Sequence, residues 1–309
     1  MLGGGYILGA EAKQMSVRRM AGVLLISAVF GWSTGTAAPG AEPAERRDTH
    51  ENLHAVLWMQ DSAEYQAITR GLYHLAAAQL DRALEDPRWT AIPEQAGRPD
   101  LPALAPAVIL DVDETVLDNS PEEGQRVLDR ARYTPDLFAK WVTRAEAQAI
   151  PGAADFIRYA LRRGVQVYMV TNRMASLKAS TVENLAKLQV PLGPEFVLCR
   201  GERGWEGDKS SRRQFVAADH RVLLMLGDDL GDFVSISGAV PAGSTEPPRM
   251  LPRAERRALI DRFSGYWEDR WIVLPNPAYG SWERILYSET APDAEQLAKQ
   301  FEAVRGLPQ

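Results

Sequence analysis

One cysteine, Cys199, in 309 residues leaves nothing to pair with, so a disulfide-stapled scaffold is excluded and the fold must rest on its core. It follows the apolar Phe196-Val197-Leu198 with no histidine near it in sequence, and reads as a core residue rather than a nucleophile. Histidine is scarce too, at four residues, and one pair matches a motif: "HENLH" (50 to 54) has the His-Glu-x-x-His form of zinc peptidases, with His50 and His54 as ligands and Glu51 as base. That match lies in a polar stretch with no scaffold before it and no third ligand after it. The bland expectation is a helix start. Basic charge is not in excess: 35 Lys and Arg against 41 Asp and Glu give a net −6 and a pI near 5.4, which argues against a broad nucleic-acid surface. A small anionic substrate remains compatible, because one pocket can be positive in an acidic protein.

No apolar run is long enough to span a bilayer comfortably. The run "AGVLLISAVFGW" (21 to 32) follows Arg18 and Arg19 and precedes the small residues "TGTAA" (34 to 38), the form of an export signal over residues 1–38. Met15 serves as well as Met1 for its start. With no cysteine at the cleavage site for lipid attachment, the expectation is an exported protein, periplasmic or secreted, without a stable membrane anchor.

What is present is patterned. Residues 39–51 are rich in Pro and charge and read as a linker. Over 52–106 an N-terminal segment begins with apolar residues at helical spacing (Tyr65, Ile68, Leu72, Leu75, Leu80) and ends in a Pro-punctuated connector. From there strand-like runs at 107–112, 165–171, 196–199, 222–228 and 271–274 alternate with amphipathic stretches such as "AADFIRYALRRG". Continuous apolar strands between helices imply an α/β fold, a parallel sheet with helices on both faces.

In such a sheet the ligand sits at the carboxyl ends of the strands. Three of the strand-like runs end in Asp111, in Thr171-Asn172-Arg173, and in Asp228-Asp229, and Lys209 stands at a helix start between the second and third. Acids at a strand's end meet a cation, a substrate or water, since an unpaired buried carboxylate is costly. Several acids with no clustered His or Cys call for a hard cation such as Mg²⁺. A cation, a lysine and a hydroxyl around one carboxylate make a phosphate-handling site. Arg173 is read either as part of that site or as a cap on the following helix.

The ordered motifs "DVDET", "VTNR", "DKS" and "GDDLGD" resemble those of the haloacid dehalogenase (HAD) superfamily. With "LDVDETVLDNS", "IPGAADFIRYA", "NLHAVLWMQDSAEYQA" and "IVLPNPAYGSWE", residues 52 to 285 are similar, more narrowly, to the class C acid phosphatases of the lipoprotein e(P4) group. The resemblance implies a Rossmann-like HAD core over 107–285, a small helical cap at about 121–150, and a C-terminal helical tail over 286–309. It implies an Mg²⁺-dependent acid phosphatase acting on 5′-nucleotides or similar small phosphomonoesters. Asp111 would be the nucleophile that forms an aspartyl phosphate and Asp113 the acid and base. Thr171, Asn172 and Lys209 would hold the phosphoryl group, and Asp111, Asp113, Asp228 and Asp232 the metal. Where the family often has Asn, this chain has Asp229, an extra negative charge beside the metal. A homodimer is an open expectation, and a non-catalytic phosphate-ester binder on the same fold is the alternative. Trp58, Tyr65, Tyr133, Trp141 and Tyr279 are candidates to stack on a flat base or to fill the core.

Overall fold

The computed structural model describes residues 51–238, 249–267, 269–287 and 291–305. The expected signal segment 1–38, the linker up to residue 50 and His50 of the zinc-type motif lie outside the described residues.

Helices α1 (Leu53–Asp61) and α2 (Ala63–Glu85) meet at Ser62, which breaks the helix with extended backbone and accepts from Tyr65 N at 3.0 Å, so it caps the second helix. The connector that follows is tied to the sheet rather than left loose: Trp89 Nε1 donates to Leu223 O and Ala91 N to Val222 O. Strand β1 (Ala105–Leu110) leads into a two-stranded ribbon, β2 (Leu117–Asp118) against β3 (Gln148–Ala149), that brackets helices α3 (Ser120–Asp129) and α4 (Pro135–Arg144). Then come α5 (Ala153–Arg162), β4 (Gln166–Met174), α6 (Lys178–Lys187), β5 (Val197–Arg200), α7 (Ser210–Asp219) and β6 (His220–Gly227). Helices α8 (Arg253–Arg262) and α9 (Ser264–Trp267), strand β7 (Trp271–Val273) and helices α10 (Ser281–Arg284) and α11 (Asp293–Ala303) complete the described elements.

The sheet runs β5-β4-β1-β6-β7, every pair parallel. Each central strand is apolar on both faces because both are covered. On β1, Val108 and Leu110 enter a core with α2 and α5, while Ala107 and Ile109 enter a second core with α7 and Trp271. Cys199 is buried in the first of these, and burial pushes its thiol up to about 11, as expected of a core residue. The α/β expectation therefore holds, with boundaries shifted: β1 stops at Leu110, one residue before the first acid, and β4 runs on to Met174 past an irregularity after Thr171.

Candidate active site

The rim forms where β1, β4 and β6 end together. Leu110 pairs with Met169 on one side and Leu226 on the other, so Asp111, Thr171 and Asp228 leave neighbouring strands at one edge. Asp111 N still donates to Leu226 O, which carries the ladder one residue past the strand. Glu114 then takes a left-handed backbone (φ 51°) and the chain folds back, with Val116 N and Leu117 N both on Val112 O. This turn swings Asp113 and Thr115 over the same rim.

Asp111, Asp228 and Asp232 present carboxylate oxygens that all lie within 4.8 Å of one another. Lys209, at the start of α7 and 5% exposed, donates to Asp111 Oδ1 and to Asp232 Oδ1, each at 2.6 Å. Burial lifts Asp111 to about 7, with Asp232 and Asp113 adding repulsion against the pull of Lys209. Burial, then Asp232 and Asp111, lifts Asp228 well above the carboxylate range, and burial lifts Asp232 too. Burial alone would lower Lys209, but the two aspartates hold it raised. Three carboxylates against one ammonium leave two negative charges uncompensated. A divalent cation fits that balance, and the all-oxygen donor set suits a hard one.

Supporting side chains fix these groups. Thr115 Oγ1 donates to Asp228 Oδ1 at 3.0 Å and Asn276 Nδ2 to Asp228 Oδ2 at 2.8 Å. Tyr73 of α2 donates through its hydroxyl to Thr115 O, which links the N-terminal helix to the rim. Gly227 is required by close approach, since a Cβ there would run into the Asp232 carboxylate. Asp229 does not face the cluster: Ser281 N, Ser281 Oγ and Gly231 N all donate to it. Those bonds outweigh its burial and hold its carboxyl below the usual range, while its charge adds to the rise of Asp228 and Asp232.

Asp113 lies across the site from the triad. Its Oδ1 accepts from Asn119 Nδ2 and from Arg173 Nε, each at 2.9 Å, and Arg173 Nη2 lies 2.8 Å away as an ion pair. Arg173 is therefore no simple helix cap; it reaches across to Asp113. Thr171 is fully buried and its Oγ1 accepts from Arg173 N at 3.0 Å, which leaves the hydroxyl proton free to donate. Asn172 is placed differently. It is exposed, and its Oδ1 accepts from Arg212 Nη2 at 2.7 Å.

Of the aromatic candidates, Tyr65 is buried in the core with Trp58 edge-on to it. Trp141 donates to Asn119 Oδ1, Tyr133 is exposed and Tyr279 is half-buried. His54 is exposed on α1, and among the described residues the cluster able to hold a metal is the aspartate triad. Asn119, Thr115, Asn276 and Arg212 were given no role from the sequence, although Thr115 closes the motif "DVDET" and Asn119 and Asn276 lie within the quoted phrases "LDVDETVLDNS" and "IVLPNPAYGSWE"; their place in those motifs was the signal available.

Comparison with known proteins agrees with this geometry. Two structures of the class C acid phosphatase from Bacillus anthracis, one with tungstate bound, superpose with a TM-score of 0.70 at 29% and 30% identity, covering 83% of this chain and 98% of theirs. Acid phosphatase 1 of Solanum lycopersicum is 32% identical over 77 residues, an alignment that spans 30% of that relative's length. Residues 41–282 match the family model for the HAD superfamily, subfamily IIIB (acid phosphatase), and the chain belongs to that family of phosphomonoesterases.

Proposed function

We propose that this chain hydrolyses small phosphomonoesters, 5′-nucleotides or compounds of similar size, with Mg²⁺ and through a phosphoryl group carried on Asp111. The supporting observation is the placement of Asp111: a buried carboxylate on the rim with Oδ1 held by Lys209, and Asp113 two residues on with Oδ2 bonded to nothing among the described residues. An oxygen of Asp111 attacks phosphorus, the ester P–O bond breaks, and Asp113 gives its proton to the leaving alkoxide. Asp113 then takes a proton from water, whose oxygen attacks the aspartyl phosphate and frees Asp111 and inorganic phosphate. The Thr171 hydroxyl and the Lys209 ammonium hold the phosphoryl oxygens. Asp111, Asp228 and Asp232, with the Asp113 carbonyl, would hold Mg²⁺, which offsets the repulsion between an anionic nucleophile and an anionic ester. The tungstate-bound Bacillus anthracis relative supports the reading, because tungstate is a tetrahedral oxyanion like phosphate.

The test is a phosphomonoester screen between pH 5 and 8 after chelation, with and without added Mg²⁺, on the protein and on Asp111→Asn. Hydrolysis restored by Mg²⁺ and lost in the variant, with a phosphate adduct on the active protein by intact mass, is the expected result. Turnover in the stripped protein or in Asp111→Asn would refute it. Export is part of the proposal, and N-terminal sequencing of extracellular or periplasmic material should find a start near residue 39. Sedimentation would establish whether the active form is a homodimer.

A further inference from the structure

Asn119 stands at the N-cap of α3, where Asn ordinarily turns its side chain onto the first helical N–H groups and stabilises the helix. Here its side chain makes no cap bond, and Asp118 Oδ1 takes up Ser120 N instead. The amide points into the site and is 1% exposed. Its Nδ2 donates to Asp113 Oδ1 at 2.9 Å and to Glu114 Oε2 at 3.3 Å. Its Oδ1 accepts from Trp141 Nε1 at 2.8 Å and from Arg173 Nη2 at 3.4 Å. An indole N–H and a guanidinium only donate, so the amide oxygen must face them and the NH₂ falls on Asp113 Oδ1, a single orientation of the amide. Arg173 is fixed in turn by Thr181 Oγ1 at 3.1 Å and lies over the Phe138 ring.

Two N–H donors, Asn119 Nδ2 and Arg173 Nε, therefore converge on Asp113 Oδ1, and Arg173 Nη2 stands beside it as an ion pair at 2.8 Å, so this oxygen is engaged while Oδ2 is left open. From this geometry we propose that Asn119 is a positioning residue for phosphoryl transfer: with Arg173 it saturates Asp113 Oδ1, so that Oδ2 alone gives the proton to the leaving group, and Trp141 ties that alignment to α4. The inference rests on the proposed role of Asp113 and adds which oxygen acts and what aims it. The balance is simple: the proton on Oδ2 passes to the ester oxygen as the P–O bond breaks, and Oδ1 keeps its bonds to Asn119 and Arg173 throughout. Trp141 belongs to the helical pair between β2 and β3, so a shift of α4 would loosen the amide and misaim the acid. The segment would then act on chemistry as well as on access.

The experiment is rapid-quench measurement of the phosphoryl-transfer step on two esters, p-nitrophenyl phosphate with a good leaving group and glycerol phosphate with a poor one, in the full chain. General acids contribute roughly 10² to 10⁴ in rate, mostly to poor leaving groups. Asn119→Ala should slow transfer from glycerol phosphate by about 30-fold or more, and at least tenfold more than transfer from the aryl ester, with KM nearly unchanged. Trp141→Phe, which keeps an aromatic ring but loses the indole N–H together with the five-membered ring, should show the same leaving-group bias at a smaller size. Equal losses on both esters in both variants, or no loss in either, would overturn the proposal. If Asn119→Ala fails to fold, Trp141→Phe carries the test alone. Asp113→Asn run in parallel separates the two readings: bias there with none in the Asn119 and Trp141 variants rejects only the positioning role. No bias in Asp113→Asn rejects the acid itself.

Discussion

Asp228→Asn should make the metal-free protein more stable while making the enzyme worse. The carboxylate oxygens of Asp111, Asp228 and Asp232 lie within 4.8 Å of one another, a separation at which two like charges repel by about 3.5 kcal/mol at an effective dielectric constant of ~20. Asp228 has two such neighbours, while Lys209 makes its bonds to the other two acids. The amide keeps the shape and both hydrogen bonds. Asn276 Oδ1 is committed to Ala278 N and Tyr279 N, so its Nδ2 would donate to the new amide oxygen, and the new NH₂ would donate to Thr115 Oγ1, a hydroxyl that accepts as well as donates. Because wild-type acids escape part of the repulsion by taking up protons, the expected gain at pH 8 in chelator is about 2–4 kcal/mol, or roughly 5–10 °C in Tm.

The pH dependence has a definite sign. Asp111 rises from 3.8 to about 7 in the folded state, and Asp228 and Asp232 rise as well, so the folded protein binds these protons more tightly than the unfolded chain. Stability is fully present below the unfolded carboxylate pKa and is lost as pH rises through about 7, on the order of 4 kcal/mol for Asp111 alone. The advantage of Asp228→Asn should thus be small at pH 5 and largest at pH 8. Mg²⁺ at a hundred times its Kd restores about 2.7 kcal/mol to the wild type. The variant, short of a charged ligand, needs more Mg²⁺ to work. Urea unfolding in chelator at pH 5 and 8 is the assay, and a variant equal to or less stable than wild type at pH 8 would refute the charge argument.

Lys209→Met should abolish turnover and cost about 3–5 kcal/mol at pH 8 by leaving Asp111 and Asp232 buried without their ammonium, as read by activity and urea unfolding. Tyr73→Phe removes the bond to Thr115 O, so a loss of about 1 kcal/mol with a modestly higher Mg²⁺ requirement is expected from unfolding and metal titration. Gly227→Ala should displace Asp232 and weaken Mg²⁺ activation at least tenfold, whereas Asp229→Asn should cost about 1–3 kcal/mol of stability by setting an amide NH₂ against Ser281 N, while Oδ1 keeps Gly231 N and Ser281 Oγ and Mg²⁺ affinity changes little.

The alternation of apolar strands and amphipathic helices was legible because each central strand is buried on both faces, and burial of that kind writes itself into consecutive residues such as Val108, Ile109 and Leu110. Asp111, Thr171, Lys209 and Asp228 were legible because each stands at the end of a strand or the start of a helix, where a polar residue after an apolar run needs a reason. What remained hidden depends on approach through space. Asn172, next to Thr171 in sequence, alternates to the exposed side and pairs with Arg212, since successive residues on a strand face opposite ways. Arg173 reads equally as a site residue or a cap, and only the sheet decides for the site by bringing it over Asp113, 60 residues earlier in the chain. Asn119 carries an ordinary cap signature, and nothing local announces that its amide turns inward to meet Trp141. Residue types and their periodicity thus determined the layers, the rim and the acids placed on it. Which oxygen of each acid is engaged was decided by tertiary packing, because hydrogen-bond partners far apart in sequence meet only once the strands and helices are assembled.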